Sequence, residues 1–183
     1  MTPEQFIAKY APEAISAQKE KGIPASVTLA QSGLESAWGA AAFQNNFWGI
    51  KAGKGWTGKT QLLRTHEILP YSNEEDYARV HNGFRFPKVL TITPAGNGKF
   101  NWTIMDHFRA YDTAHEGFVD HANFFIVNPR YHQAILDEAS FEKFALDIAV
   151  AGYATAPNYG QALISVVHKY NLTQYDKVGA SSV

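Results

Sequence analysis

The chain has 183 residues, 45% hydrophobic, 14% aromatic and 18% charged, with 16 Lys and Arg against 17 Asp and Glu for a formal charge of −1. That length can bury a real core, the composition argues against disorder, and the charge balance argues against nucleic-acid binding by bulk charge. With no cysteine, disulfides, thiolate metal sites, iron–sulfur clusters and a cysteine nucleophile are excluded, and no apolar run approaches the roughly 18 residues of a membrane span.

The first helix is predicted from Thr2, where Thr2 and Gln5 form a capping box and Pro3 takes the first helical position. Phe6, Ile7, Tyr10, Ala14 and Ile15 make its apolar stripe, and Gly22 its stop. The same N-terminal stretch has no basic segment leading into an apolar one, so no signal peptide is visible in it. A second helix follows Pro24, with Val27, Ala30, Leu34, Ala37 and Trp38 at helical spacing and Gly39 as its end. From about Trp56 to Trp102 the chain turns rich in Thr, Val, aromatic and turn residues. Ala95-Gly96-Asn97-Gly98 between Val89–Thr93 and Phe100–Ile104 predicts a β-hairpin, with Pro87 and Pro94 suited to edges or loops. Helices return after Thr113 and Glu116, a second capping box. They carry Phe118, Ala122, Phe125 and Ile126, then Phe141, Phe144, Ala145, Ile148 and Ala149 closed by Gly152, and lastly Tyr159 to Tyr170. Asn128-Pro129 breaks the first of these.

The expected architecture is one α+β domain over 1–183. A helical lobe (1–55 and 106–175) surrounds a small β-lobe (about 56–105), with a groove between the lobes as the expected site.

Glu35 is the residue most suited to chemistry. It flanks the apolar stripe in the last turn of its helix, near Gln31 and Trp38. The negative end of the helix dipole and a nearby indole would both raise its pKa. A carboxylic acid held protonated near neutrality is what a glycosidase needs to protonate a leaving oxygen. Taken alone, an ordinary solvated glutamate is the simpler reading. The seven histidines form no H-E-x-x-H pair, and no G-x-S-x-G elbow supports a serine triad.

The surrounding motifs tip the balance. Glu35-Ser36-Ala37-Trp38-Gly39, then Asn46-Phe47-Trp48-Gly49-Ile50-Lys51, then Gly55-Trp56-Thr57-Gly58 follow one another in order. Asn128-Pro129-Arg130-Tyr131 and Tyr153-Ala154-Thr155-Ala156-Pro157-Asn158-Tyr159 come later. Together they resemble the glucosaminidase family of peptidoglycan hydrolases, glycoside hydrolase family 73, over about Pro24 to Tyr170. The resemblance implies a lysozyme-like fold. It also implies cleavage of the β-1,4 bond after N-acetylglucosamine in the peptidoglycan glycan strand, with no metal or organic cofactor.

It assigns Glu35 as the catalytic acid and points to a second acid on the β-lobe. Glu67 in Thr65-His66-Glu67, eleven residues past Trp56, is the candidate. Glu74, Glu75 and Asp76 look more like a solvated turn. Tyr153 carries over as the site tyrosine. Gln31, Trp38, Asn46, Trp48, Trp56, Thr155 and Tyr159 are the expected substrate-binding residues. The spacing of Tyr159 with Leu163 and Val166 argues for packing. Trp48 and Trp56, around a Gly- and Lys-rich loop, suit sugar stacking. Ala156 departs from the family's Asp, leaving Asn158 to cap the last helix. The stretch between Glu67 and Phe108 is longer than the family's by a hairpin. Its Phe84, Phe86 and Trp102 fit core packing slightly better than groove extension.

Competing readings are a lysozyme or lytic transglycosylase cutting the N-acetylmuramic acid bond, and a non-catalytic wall-binding module. On the other face of the sugar, Glu67 activating water and attack by the substrate's acetamido oxygen both stay open. The substrate places the action in the periplasm or cell wall, reached by a secretion system, phage or lysis. An antibacterial effector would add an immunity or inhibitor protein as partner. The Ala180–Val183 tail distinguishes none of these.

Overall fold

The computed structural model describes residues 1–176, so the Ala180–Val183 tail lies outside the described residues. In chain order the elements are helices α1 (Pro3–Lys21) and α2 (Ala25–Glu35), strand β1 (Thr60–Leu69), helix α3 (Glu74–Val80), strands β2 (Lys88–Gly96) and β3 (Lys99–Arg109), then helices α4 (Ala114–Ile126), α5 (His132–Leu136), α6 (Phe141–Val150) and α7 (Tyr159–Lys169). Two units emerge: Met1–Gly49 with Tyr111 onward, and Ile50–Ala110. The second unit begins at Ile50, about six residues before the expected start at 56. The reason is backbone pairing: Arg109 N–H donates to Ile50 O and Ala52 N–H to His107 O, and Lys51 bridges Phe108.

In the helical unit, α1 begins as its sequence dictates. Thr2 Oγ1 accepts from Gln5 N–H, the Gln5 side chain answers at the Thr2 N–H, and Pro3 follows. Gly22 ends it with φ 86°, a value that costs glycine little.

Helix α2 is buried all round from Ala25 to Gly33, the signature of a central helix. It packs on α1, α6 and α7. Two of its buried hydroxyls bond to nearby backbone: Thr28 donates to Pro24 O at 3.0 Å and Ser32 to Leu29 O at 2.9 Å. The helix stops at Glu35 rather than near Gly39. Ala37 and Trp38 take φ of 48° and 56°, and Trp38 N–H turns back to Gly33 O at 2.7 Å.

The loop after α2 is pinned by aromatic packing. Phe47 and Trp48 are buried against Phe6, Tyr10, Phe118 and His121. Each such ring contributes about 1.5–3 kcal/mol by burial. The Asn45 backbone lies so close to α4 that a Cβ on Gly117 would come within 2.5 Å of its carbonyl oxygen.

The β unit is a three-stranded antiparallel sheet in the order β1-β3-β2. The predicted hairpin forms, its two-residue tip Asn97-Gly98 holding φ of 52° and 69°, as a type I′ turn requires. Pro94 sits on the edge strand β2, at an irregularity between Pro94 and Gly96. The acidic run is a correction. Glu74, Glu75 and Asp76 form the first turn of α3, where acids suit the helix dipole and Asn73 caps. Tyr77, Trp102 and Ile104 form the unit's core, with Phe86 packed against it. Phe86 and Trp102 are therefore packing residues, while Phe84 stays 50% exposed.

Candidate active site

Helix α2 brings Glu35 to the surface at its last residue, one turn beyond buried Gln31. The hydroxyl of Tyr159, the first residue of α7, donates to Glu35 Oε1 at 2.8 Å. The Gln31 amide donates to the same hydroxyl at 3.1 Å. The expected packing role of Tyr159 is thus incomplete. Its ring is buried, as the helical spacing implies, and its hydroxyl holds the acid.

Tyr153 stacks on Tyr159 with centroids 5.4 Å apart and planes at 22°, and its hydroxyl lies 3.5 Å from His121 Nε2. Burial pushes both phenols upward, and the Glu35 carboxylate adds to the shift. Both therefore stay protonated donors at neutral pH. His121, fully buried, is pushed down to about 3 by desolvation. It is neutral, and it stacks on Trp48 at 4.1 Å and 5°.

Several expected contacts turn out otherwise. Trp48 is buried, with a face against His121 and an edge-on contact to Phe118, so it packs the core rather than offering a face to a sugar. The Trp38 indole lies over Gly33, where an added Cβ would be 2.4 Å from it, and packs edge-on against Phe6 and Tyr170. Exposed Glu35 therefore takes a phenolic hydrogen bond in place of the expected indole cover. Asn46 is buried, its N–H donating to Phe43 O. Thr155 is exposed. Asn158 occupies the N-cap of α7, yet its side chain makes no capping bond.

The β unit holds a second cluster. Glu67 lies on the half-buried face of β1, opposite Trp102 on β3. Lys51 Nζ sits 2.6 Å from Glu67 Oε1 and 3.0 Å from Asp106 Oδ2. Burial works to lower the Lys51 pKa, but hydrogen bonds and charge from the two carboxylates carry it above its ordinary value. One lysine so restrains two acids. Trp56 covers Gly58, donates from Nε1 to Lys59 O at 3.0 Å and receives the Arg109 guanidinium over its ring at 4.5 Å.

The sequence did not single out His121, which lies beside Tyr153, or Lys51 and Asp106, which form a cluster with Glu67. Lys51 closes the Asn46–Lys51 motif, and His121 repeats with Phe118 and Phe125 on one face of α4. Those were the available signals. Among the described residues, no group of three or more His, Asp or Glu could hold a metal ion.

The glucosaminidase family model, described as mannosyl-glycoprotein endo-beta-N-acetylglucosaminidase, matches residues 11–172. The chain is 30% identical over 177 residues to the peptidoglycan hydrolase FlgJ of Vibrio parahaemolyticus, covering 92% of this chain and 47% of that protein. It is 29% identical over 163 residues to the exo-glucosaminidase LytG of Bacillus subtilis, covering 85% and 47%. The chain spans about half the length of these curated relatives. The glycoside hydrolase domain of Salmonella typhimurium FlgJ superposes with a TM-score of 0.67 at 25% identity, covering 95% of this chain and 91% of that one.

Proposed function

The chain belongs to the glucosaminidase family, and from that membership we propose that it hydrolyses peptidoglycan at the β-1,4 bond after N-acetylglucosamine, with Glu35 as general acid. The observation that carries this reading is the Gln31–Tyr159–Glu35 chain of hydrogen bonds at the end of a buried helix. Tyr159 engages Oε1, which leaves Oε2 to carry the proton to the glycosidic oxygen. Proton donation there lets the bond break as the ring gains oxocarbenium character. Tyr153, stacked behind Tyr159 and kept protonated, is a donor for the acetamido group or for charge beside the ring.

Two routes complete the reaction. Glu67, which accepts a hydrogen bond from Lys51, activates a water, or the substrate's own acetamido oxygen attacks. The names of the relatives support the substrate and the bond. Peptidoglycan lies in the cell wall or periplasm, which is where this chain would act. An antibacterial effector role would bring an immunity protein as its partner.

The test is mass spectrometry of purified peptidoglycan treated with wild type, Glu35→Gln and Glu67→Gln. Fragments with reducing N-acetylglucosamine ends, absent with Glu35→Gln, are expected. Reducing or anhydro N-acetylmuramic acid ends would move the assignment to a lysozyme or lytic transglycosylase. No fragments from folded wild type would leave a wall-binding module. A loss with Glu67→Gln as deep as that with Glu35→Gln selects the water route, and a smaller one the acetamido route.

A further inference from the structure

The near-zero net charge of the chain hides a strong asymmetry. Residues 50–110 hold nine Lys and Arg against five Asp and Glu, a net +4, while the rest holds seven against twelve, a net −5. Within this basic unit is a pocket of about 250 Å³ lined by Lys51, Lys54, Arg85 and Asp106, with Phe84 and Pro87 beside them. Three cations thus face one carboxylate. Lys51 is engaged by Glu67 and Asp106. Arg85 Nη1 lies 3.8 Å from Glu75 Oε1, and both side chains are exposed, a pairing worth little in water. Lys54 and Arg85 are therefore the charges available to a ligand.

Phe84 supplies a half-exposed apolar surface in the same pocket. Its ring is held edge-on to Phe86, with centroids 5.6 Å apart and planes at 87°, so the surface is preorganised. The volume is below that of a typical whole-ligand site, which suits one substituent of a larger substrate.

We propose that this pocket takes a carboxylate-bearing peptide stem of the glycan strand. The inference rests on the peptidoglycan reading above and specifies its substrate. In an intact strand the lactyl carboxyl is consumed as the amide that joins the peptide, so the free carboxylates belong to the stem. Alanine methyl groups and methylene chains next to those carboxylates match Phe84 and Pro87 next to Lys54 and Arg85. A phosphate polymer would satisfy the cations but leave the apolar surface unused.

The test compares wild type with the double variant Lys54→Ala/Arg85→Ala, whose two side chains are exposed. Each protein digests intact peptidoglycan and the same material after its carboxylates are converted to amides with carbodiimide and ammonia. The variant should lose about fivefold in kcat/KM on the intact substrate, the size of two exposed charge interactions, and match wild type on the amidated one. Lys54→Arg/Arg85→Lys should restore most of the loss. Binding of a fluorescent L-Ala–γ-D-Glu–meso-diaminopimelate tripeptide, measured by anisotropy without turnover, should weaken in the same double variant. Equal losses on both substrates, or tripeptide binding as tight in the variant as in wild type, or displacement by polyphosphate but not by unlabelled tripeptide, would overturn the proposal. If wild type cuts neither substrate, the hydrolase reading fails, and the tripeptide measurement still decides the pocket.

Discussion

The hydroxyl of Tyr159 donates to Glu35 and accepts from Gln31, so one side chain joins the acid to the buried interior of α2. Tyr159→Phe removes both bonds while keeping the ring that Tyr153 stacks on. The Gln31 amide, fully buried, then loses a partner, at a cost of about 1–3 kcal/mol. Misorientation of Glu35 should lower kcat by about 100-fold with a smaller change in KM. Steady-state kinetics on solubilised peptidoglycan, with urea unfolding alongside, checks this. An unchanged kcat in the folded variant would remove Tyr159 from the positioning of the acid. Glu35 was legible from its motif and its helix end, but its phenolic partner was not. The Tyr159 spacing reported a buried ring and was silent on where the hydroxyl points.

Helix α2 positions Glu35 at one end and depends on distant residues at the other. Pro24, its N-cap, has no side chain that can accept a hydrogen bond. Gln18 Oε1 takes the Ala25 N–H at 2.9 Å and Asp176 Oδ1 the Ser26 N–H at 2.8 Å. These satisfy orphan donors of a buried helix start, and the carboxylate also meets the positive end of the helix dipole. Asp176→Ala should lower the unfolding free energy by about 1 kcal/mol, and Asp176→Asn should retain most of it. Denaturant titration separates the two. Equal losses would assign the effect to charge rather than capping. Local capping codes were readable at α1 and, for the Thr113 cap, at α4, where Glu116 takes the Asp112 N–H instead of closing the expected box. The cap of α2 was not, because its residues meet only after the chain returns 150 positions later.

Across the whole molecule, the buried His121 couples stability to pH. Burial holds it near 3 in the folded chain, against about 6.5 when unfolded. Between those values the unfolded chain binds the extra proton. Stability is therefore full above pH 6.5 and falls as pH drops through the window, by up to about 1.4 kcal/mol per pH unit. His121→Phe should flatten this slope. Urea midpoints at pH 7 and pH 5 for both proteins isolate the effect, since every other group is common to them. Parallel curves would mean that His121 does not carry the coupling. The same scale shows the charge asymmetry, with basic residues gathered on the β unit. A total of −1 cannot express that.

The amino-acid sequence by itself determined the α+β class, the N-caps of α1 and α4, a hairpin turning within 95–98 and the family motifs around Glu35. All of these rest on residues close in the chain or on patterns with a fixed period. Tertiary structure alone decided where α2 stops, because the reversal at Ala37 and Trp38 is held by packing over Gly33 and against Phe6 and Tyr170. It also decided that Trp48 is core, that Tyr159 touches the acid, and that Lys51 joins Glu67 to Asp106. Each is a contact between distant residues, and its identity depends on which way a side chain points once the core has closed.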